Sequence, residues 1–348
     1  MKILLLGGTG AMGVHLSELL KQGHEVFITT RKPQSDRDDV TYLVGNARDD
    51  KFLTDLLKVR WDAIIDFMVY RTDELKNRLH ILLKNTNHYV FLSSARVFAN
   101  SSSDLIETAP RLLDVSEDTD YLSTDEYALT KARQENLLIN SAYDNWTIVR
   151  PYITYGENRL QLGVLEKEEW LYRALKGRTI IFCEEMMEKK TTLTYGFDVS
   201  QVIANLIGKP EAKKETYNIT ASISITWGEV LELYVSEILK ATGKKPKVIL
   251  LPFDEFVRVK PGSRHQIIYD RFYDRTFDNS KVRSFKEDWT HPTDGIRTAF
   301  RSFVRSPSFL PINWQAEAVK DRYSRQLTPV WQVPGLKNKI KFLITRFK

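Results

Sequence analysis

The sequence predicts an α/β fold, a doubly wound parallel sheet with a smaller mixed α/β lobe in its C-terminal part. Short apolar runs alternate with segments of helical periodicity as far as about residue 155, and the first run ends in a glycine-rich turn. Strands that alternate with helices form a parallel sheet covered on both faces. Beyond that point the order of elements becomes mixed, which predicts the second lobe.

The first strand is expected at residues 2–6, KILLL, because a continuous apolar run is typical of a buried parallel strand. The following segment, AMGVHLSELLKQG, has helical spacing and stops at Gly23. Further strands, with helical segments between several of them, are expected in HEVFITT, VTYLV, DAIIDFMV, HYVFLSS and WTIVRP.

The later part of the chain combines both periodicities. Helix-like segments are EKEEWLYRALKG and TWGEVLELYVSEILKATGK, and strand-like segments are TIIFC, TYNIT and KVILLP. From Phe253 onward, aromatic and charged residues are interleaved without a clear period. We therefore predict a first domain over residues 1–160, to which segments near 190–220 return, and a second lobe with a C-terminal extension over residues 161–348.

Composition indicates a globular chain without disulfide or metal chemistry. The 348 residues include one cysteine, Cys183, which we interpret as a strand residue, and six histidines without an HExxH-like spacing. No apolar run approaches the roughly 20 residues of a membrane span. The opening MKILLLGGTG becomes glycine-rich too early for a signal peptide. We therefore expect a cytoplasmic protein and no metal site.

The formal net charge of +6 suits anionic ligands such as nucleotides, but general surface chemistry or a nucleic-acid footprint explains it equally well. Much of the excess lies late in the chain. GLKNKIKFLITRFK places Leu336, Ile340, Leu343, Ile344 and Phe347 along one helical face, with lysines around the other. Two interpretations stay open, weak contact with an acidic membrane surface and packing of the helix on its own domain.

The turn after the first strand is typical of dinucleotide binding. Its glycines have Gly-x-x-Gly-x-x-Gly spacing, a variant of the Gly-x-Gly-x-x-Gly fingerprint. Gly7 suits a tight turn, Gly10 the close approach of a pyrophosphate, and Gly13 the packing of the helix on the strand. The start of the helix offers backbone amides to the phosphates. The residues expected here are Gly7, Thr9, Gly10, Ala11, Met12 and Gly13.

The end of the second strand favours NADP over NAD. An acidic residue at this point accepts a hydrogen bond from the adenosine ribose of NAD, but this chain has Thr30, Arg31 and Lys32. The guanidinium of Arg31 suits a 2′-phosphate. It could also stack on the adenine or lie in solvent.

The stretch YLSTDEYALTK combines a structural and a chemical pattern. Ser123 and Glu126 have the spacing of a capping box, which would start a helix. Tyr127 and Lys131 lie four residues apart, and on a helix they would share one face as an acid/base pair. The spacing alone does not decide, because YRALK repeats it with Tyr172 and Lys176.

Four segments in order, GGTGAMG, HYVFLSSARVF, YALTK and RPYITYG, resemble the extended short-chain dehydrogenase/reductase family, also called the NAD-dependent epimerase/dehydratase family. The late segment RTFDNSKVRSFKEDWTHPTDGIRTAF is similar as well. The resemblance implies a Rossmann-like fold whose smaller C-terminal lobe binds the substrate. It also selects Tyr127 and Lys131, because the later pair has neither the serine strand before it nor the Arg-Pro segment after it.

By this resemblance the catalytic residues are Ser94, Tyr127 and Lys131. Tyr127 would be the general acid/base, although an unperturbed phenol titrates near 10. Lys131 would favour the phenolate and hold the nicotinamide ribose, and Ser94 would hydrogen-bond the reacting oxygen. Ser93 is interpreted as a turn residue. The further cofactor contacts that the family implies are Asn46 and Ala47 beside the adenine, Phe67 and Met68 at the adenosine ribose, and Pro151 and Ile153 on the nicotinamide side.

Departures from the family pattern narrow the reaction. Sugar 4,6-dehydratases carry an acid pair where this chain has Ala95 and Arg96, which disfavours dehydration. The resemblance therefore implies an NAD(P)-dependent nucleotide-sugar oxidoreductase, either a 4-epimerase or a 4-ketoreductase, that acts at a sugar hydroxyl or keto carbon. The alternative is a non-catalytic nucleotide- or RNA-binding protein of the same fold.

The resemblance also implies partners. Family members often form homodimers through the helix that bears the Tyr/Lys pair and the preceding helix, here near residues 72–84. For the enzyme we expect a nucleotide-sugar substrate, with polysaccharide biosynthesis as its setting, and no nucleic-acid partner.

Overall fold

The computed structural model of the chain describes residues 1–37 and 39–347. Its strands are β1 (Lys2–Leu6), β2 (Glu25–Thr30), β3 (Val40–Val44), β4 (Ala63–Asp66), β5 (Tyr89–Leu92), β6 (Trp146–Pro151), β7 (Thr154–Tyr155), β8 (Ile180–Cys183), β9 (Lys190–Thr191), β10 (Thr194–Tyr195), β11 (Glu215–Ile219), β12 (Ile225–Thr226) and β13 (Val248–Leu251). Its helices are α1 (Ala11–Leu20), α2 (Asp50–Leu56), α3 (Thr72–Lys84), α4 (Leu112–Val115), α5 (Thr119–Leu122), α6 (Tyr127–Ile139), α7 (Leu171–Leu175), α8 (Gly196–Leu206), α9 (Trp227–Thr242), α10 (Phe253–Val259), α11 (Arg264–Gln266), α12 (Pro292–Arg305), α13 (Trp314–Ser324) and α14 (Leu336–Phe347).

Seven strands form one sheet in the order β11-β6-β5-β4-β1-β2-β3. All neighbouring strands in this sheet run parallel. The sheet confirms the predicted doubly wound, Rossmann-like α/β fold. Because the chain moves outward from β1 to β3 and then returns to β4, the strand order reverses between β1 and β4. In open α/β sheets, ligands bind outside the carboxyl ends of the strands at such a switch point.

Two buried apolar layers cover the two faces of the sheet. In β1, Ile3 and Leu5 belong to one layer, whereas Leu4 and Leu6 belong to the other. The first layer includes residues of α1 and α8, and the second includes residues of α2, α3 and α6. Both faces are therefore packed against helices, which explains why KILLL is apolar at four successive positions instead of alternating.

The chain divides into two compact units. Unit 1 comprises Met1–Thr154, Thr192–Ile223 and Thr276–Pro292, and it contains the seven-stranded sheet. Unit 2 comprises Tyr155–Thr191, Ser224–Arg275 and the chain from Thr293 onward.

Short strand pairs and helices build unit 2. Strands β8 and β13 pair in parallel, and β9 and β12 pair in the antiparallel direction. Helix α9 begins with a capping box, in which Thr226 Oγ1 accepts from the Glu229 amide at 3.1 Å and the Glu229 carboxylate accepts from the Thr226 amide at 2.6 Å. It ends at Gly243, whose φ of 71° suits a left-handed helix cap.

The predicted helix in EKEEWLYRALKG is shorter than expected and covers only α7. The buried Trp170 precedes it with a φ of −127°, and its indole Nε1 donates to the Leu160 carbonyl at 3.0 Å. Burial of the indole thus fixes the chain in a turn where local propensity favours a helix.

Cys183 ends β8 and is buried, as the sequence predicts for a strand residue. Burial raises the pKa of its thiol to about 12, and the neighbouring Glu185 carboxylate, 3.2 Å from Sγ, raises it further. The thiol is therefore protonated at neutral pH and a poor nucleophile. Among the helices that the structure describes, none has the length and hydropathy needed to cross a bilayer.

Candidate functional site

A cavity of about 590 Å³ opens at the carboxyl ends of the strands on both sides of the switch point. This volume is in the range of small-molecule sites. The predicted cofactor residues that line it are Gly7, Thr9, Arg31, Asn46, Ala47, Phe67 and Met68. Sequence reasoning missed its further lining residues Thr29, Thr30, Gly45, Arg48 and Val69. Their position in the sequence could have identified them, because each lies within two residues of a predicted contact.

The three glycines of the first turn serve three different needs. Gly7 has a φ of 72°, and its amide donates to Thr29 Oγ1 at 2.9 Å. A Cβ atom at Gly13 would lie 2.3 Å from the carbonyl oxygen of Gly8, so α1 packs on the turn as closely as glycine allows. A Cβ atom at Gly10 would meet no atom of the described residues within 4 Å, which leaves open space in front of the start of α1.

The start of α1 fits a pyrophosphate group. Gly10 is the N-cap residue, and its carbonyl accepts from the Val14 amide at 3.1 Å. The amides of Ala11, Met12 and Gly13 precede the first intrahelical donor and have no acceptor within the helix. Backbone amides at a helix start, with open space before them, bind anions.

The cavity is lined by basic and neutral groups. Arg31 is exposed at the end of β2, and Arg48 donates to the Val69 carbonyl oxygen. None of the lining residues that the structure describes is acidic. The cavity is therefore suited electrostatically to an anionic ligand.

Ser94 follows β5 and is almost fully buried. Its Oγ accepts from the Arg96 amide at 3.3 Å at the start of a short 3-10 turn. The interpretation of Ser93 as a turn residue is wrong, because its Oγ donates to the buried Glu135 carboxylate at 2.6 Å.

Glu135, which sequence reasoning missed, joins α6 to two strand ends. Besides the hydroxyl of Ser93 after β5, its carboxylate accepts from Nε and Nη2 of Arg150 in β6, both at 2.7 Å. Arg111 Nη1 donates to it at 3.1 Å. These bonds fix the position of α6 relative to the end of the sheet.

The predicted capping box of Ser123 and Glu126 is wrong. Ser123 is the C-cap residue that follows α5, and its hydroxyl donates to the Asp120 carbonyl at 2.7 Å. Glu126 is itself the N-cap of α6, with its carboxylate accepting from the Ala128 amide at 2.7 Å and from Arg96. The helix consequently starts at Tyr127, and Lys131 follows one turn later.

Two cations lie beside the Tyr127 ring. Lys131 Nζ is 5.9 Å from the ring centroid, and Arg96 Cζ is 5.2 Å from it. Lys131 is buried, and its Nζ donates to the Leu92 carbonyl at 2.7 Å. The structure therefore brings Tyr127 and Lys131 together and connects Lys131 to the strand that precedes Ser94.

Asp66, at the end of β4, is a buried acid that sequence reasoning missed. Its Oδ1 accepts from the Met68 amide at 2.9 Å, and its Oδ2 accepts from the Tyr89 hydroxyl at 2.7 Å. Burial raises the pKa of Asp66 to about 6, against these hydrogen bonds and the charge of Lys131. Burial lowers the pKa of Lys131 to about 8, against the charges of Asp66 and Glu135. A carboxylate inside the apolar segment DAIIDFMV was the available signal.

Pro151 is the last residue of β6, Ile153 follows two residues later, and both are buried. Ile153 has a φ of 34°, and its carbonyl accepts from the Thr194 amide at 3.2 Å. A β-branched residue at positive φ is an outlier that costs about 1–3 kcal/mol. Backbone strain of this kind is concentrated at functional sites.

The second Tyr/Lys pair belongs to unit 2. The Tyr172 ring packs against Phe309 and Trp314, with centroids 5.4 and 6.1 Å away. Lys176 is exposed beyond the end of α7. The side chain of Tyr172 thus has a packing role.

A family model described as the NAD dependent epimerase/dehydratase family matches residues 3–220, which is more than half of the chain. Among curated proteins, the chain is 27% identical over 244 residues to the chloroplast stem-loop binding protein of 41 kDa b from Arabidopsis thaliana. The match covers 65% of this chain and 60% of that protein, so the chain spans less than two thirds of the length of this relative.

Solved structures of epimerases share the fold. An epimerase from Methanothermobacter thermautotrophicus superposes with a TM-score of 0.65 at 16% identity, covering 92% of this chain and 94% of that one. UDP-glucuronic acid 4-epimerase from Bacillus cereus, in complex with UDP-glucuronic acid and NAD, gives 0.63 at 16% identity, covering 88% and 100%. UDP-glucose 4-epimerase from Thermus thermophilus, in complex with NAD, gives 0.63 at 18% identity, covering 88% and 100%. At these identities the likeness shows the fold alone.

Proposed function

The chain belongs to the NAD dependent epimerase/dehydratase family, and we propose that it is a nucleotide-sugar oxidoreductase, a 4-epimerase or a 4-ketoreductase with Tyr127 as its acid/base. The observation that carries the proposal is the pair formed by Tyr127 and the buried Lys131 on successive turns at the start of α6. In the same unit, the cavity at the switch point has the lining that a dinucleotide needs.

Residues of the cavity would hold the cofactor. The α1 amides and the open space at Gly10 suit its pyrophosphate, and Phe67 and Met68 offer an apolar wall for the adenosine half. When bound, the nicotinamide ring accepts or donates the hydride. We propose a preference for NADP over NAD, because Arg31 and Arg48 line the cavity and both can bind a 2′-phosphate.

The protein would supply proton transfer through Tyr127. Lys131 and Arg96 place two cations beside its ring, and the deprotonated phenol would take a proton from a substrate hydroxyl. Ser94, almost fully buried after β5, would donate a hydrogen bond to the reacting oxygen. We assign substrate binding to the unit that contains α9 and α12, which corresponds to the predicted lobe.

The nucleotide released from the purified, denatured protein tests the proposal and separates its two reactions. Stoichiometric NAD or NADH supports an epimerase with retained cofactor and overturns the NADP preference. An empty protein that binds NADPH more tightly than NADH supports a ketoreductase. In the second case, Arg31→Ala and Arg48→Ala should each reduce the affinity for NADPH more than that for NADH.

Turnover of a panel of UDP-sugars and their 4-keto derivatives then tests the role of Tyr127. Tyr127→Phe should abolish turnover and leave dinucleotide binding unchanged, because it removes only the phenol oxygen. Tyr172→Phe is the matched control, since it makes the same change in the other Tyr/Lys pair. Equal activities of the two variants would contradict the proposal.

A second function has support from one relative, which is named as a stem-loop binding protein. The net charge of +6 suits a nucleic-acid partner. Salt-dependent binding of an RNA stem-loop that Tyr127→Phe leaves unchanged, together with no turnover of any nucleotide sugar, would favour this function over the enzyme.

We also propose a homodimer that pairs through α3 and α6, as family members often do. Sedimentation velocity of the purified chain tests it. A charge reversal on the exposed face of α3, Lys76→Glu, should shift the dimer toward monomer, whereas a wild-type monomer at all accessible concentrations would refute the pairing.

A further inference from the structure

Helix α14 exposes an apolar stripe. The side chains of Leu336, Ile340, Ile344 and Phe347 are between 50% and 76% exposed. Because successive residues are about 100° apart around a helix, these four fall within an arc of about 80°. The stripe is thus continuous along three turns of the helix.

The opposite face of α14 already has its packing partners. Phe342 is fully buried in a small core with Ala318 and Val333, against which Leu343 packs. Arg346 is buried, and its Nη1 donates to the Thr328 carbonyl at 3.0 Å. The helix therefore packs on its own unit, one of the two interpretations that the sequence left open. Leu343 belongs to this packed edge rather than to the exposed stripe.

The charged residues of the segment that carries the stripe are all positive. Residues 322–348 contain seven Lys or Arg and no Asp or Glu. Lys337 and Lys341 are exposed and directly follow Leu336 and Ile340, so they lie along one edge of the stripe. The segment before the helix adds the exposed side chains of Leu327 and Trp331.

We propose that α14 binds the surface of membranes that contain anionic lipids, with its stripe in the interface and its lysines on the head groups. An amphipathic helix with lysines beside an apolar face lies in the plane of the interface, and each lysine near an anionic surface adds about 1 kcal/mol. A stretch of 27 residues without a single acidic side chain is the charge complement of such a surface.

A second copy of the chain fits this stripe less well. A helix of 12 residues is about 18 Å long, so its stripe offers less area than the roughly 800 Å² per partner of a stable interface. The lysines beside the stripe of one copy would also repel those of a second copy, whereas anionic head groups attract them.

Co-sedimentation of the full chain with vesicles tests the proposal. Vesicles of phosphatidylcholine and phosphatidylglycerol in equal parts should retain the chain, pure phosphatidylcholine vesicles should not, and added salt should weaken retention. Ile340→Glu/Ile344→Glu changes two exposed side chains and should lower the partition coefficient at least about tenfold. Val59→Glu/Val115→Glu is the matched control, because it makes the same charge change at side chains that are 54% and 52% exposed outside α14.

Three outcomes would overturn the proposal. The first is no retention of the wild-type chain on the anionic vesicles at low salt. The second is equal retention of the two double variants on the vesicles, which would show that the loss of binding depends on net charge and not on the stripe. The third is a dimer in sedimentation velocity that Ile340→Glu/Ile344→Glu dissociates without any vesicle binding, which would assign the stripe to a second copy. Cofactor binding and turnover in unit 1 do not enter this test, so its result is independent of the proposed enzyme activity.

Discussion

The ammonium group of Lys131 donates a hydrogen bond to the carbonyl oxygen of Leu92 at 2.7 Å. Leu92 is the last residue of β5, and Ser94 follows it by two residues. The bond therefore sets the distance between the helix that carries Tyr127 and the strand end that carries Ser94. It also holds the positive charge of a buried side chain beside the Tyr127 ring.

Replacement of Lys131 by methionine should lower turnover without unfolding the protein. Lys131→Met removes the charge beside Tyr127 but keeps an apolar chain of similar length in the buried space, so turnover should fall by about 10²–10⁴-fold while the protein stays folded. Steady-state kinetics and circular dichroism measure the two effects. Lys176→Met, in the exposed repeat of the Tyr/Lys spacing, should leave turnover unchanged. A comparable loss in both variants would disprove the role of Lys131.

Asp66 should make stability depend on pH. Its pKa is raised from 3.8 to about 6 in the folded protein, so the folded state holds the proton more tightly than the unfolded state. Its contribution to stability is present below about pH 4 and is lost as the pH rises through about 6, a change of about 3 kcal/mol. Asp66→Asn lacks this titration and keeps an acceptor for the Met68 amide.

Urea unfolding between pH 4 and pH 7 measures this effect as the difference between wild type and Asp66→Asn. The unfolding free energy of the wild type should fall relative to that of the variant over this interval. Differences that stay constant with pH would show that Asp66 titrates near its ordinary pKa in the folded protein. The comparison does not require a known substrate.

The glycines of the first turn should give opposite phenotypes. Gly13→Ala would place a methyl group 2.3 Å from the Gly8 carbonyl oxygen and should lower the unfolding free energy by about 1–3 kcal/mol. The methyl group of Gly10→Ala would meet no atom within 4 Å among residues 1–37 and 39–347, and the φ of −84° is one that alanine adopts freely. This change should leave stability within about 0.5 kcal/mol and weaken dinucleotide binding, because the methyl group occupies the open space.

Thermal unfolding and titration with NADH or NADPH distinguish the two variants. Equal weakening of binding by both changes, with unchanged stability, would contradict the packing role of Gly13. Tight binding by Gly10→Ala would show that no phosphate group approaches this glycine.

The sequence predicted those parts of the structure that depend on residues close together along the chain. The runs KILLL and WTIVRP coincide with β1 and β6, because burial on both sides leaves a continuous apolar signal in the sequence. The run VTYLV coincides with β3, which is an edge strand of the sheet and only partly buried. The spacing of Gly7, Gly10 and Gly13 likewise requires only one turn between a strand and a helix. The predicted contacts of the cavity follow from the same strand ends.

The missed groups depend on residues far apart in the sequence. The raised pKa of Asp66 comes from its burial in the folded sheet, against the hydrogen bond from Tyr89 and the charge of Lys131, and the apolar segment around it does not reveal these partners. Glu135 is held by Ser93 and Arg150, and no local pattern marks it. The capping box failed for a related reason. Arg96 binds the Glu126 carboxylate and thereby favours a helix start after Glu126, although Ser123 has the right spacing for an earlier one.

We expect a buried arginine, Arg173, to make a large contribution to the stability of unit 2. Arg173, in α7, is fully buried, and its Nη1 lies 2.7 Å from Glu317 and 3.2 Å from Asp321 of α13. Asp321 also accepts from the Thr328 amide at 2.8 Å, which extends this contact to the segment before α14. Arg173→Leu would remove the guanidinium group that both buried carboxylates share. Glu317 would keep Lys320 Nζ at 2.9 Å, but the cation nearest to Asp321 would then be Arg346, whose Nε is 3.9 Å away. Removal of one partner from a buried ionic cluster costs about 3–5 kcal/mol.

The matched control for this change is Arg264→Leu, which breaks an exposed ion pair with Asp254 in the same unit and should cost less than about 1 kcal/mol. Urea unfolding compares the two variants, and limited proteolysis should cut Arg173→Leu first between α13 and α14, where the chain loses its attachment. The apolar stripe consists of side chains of α14 itself, and the loss of Arg173 does not change them. If the stripe binds membranes as proposed, Arg173→Leu should therefore still bind anionic vesicles. Equal stability of the two variants would mean that Glu317 and Asp321 are protonated or solvated once the arginine is absent.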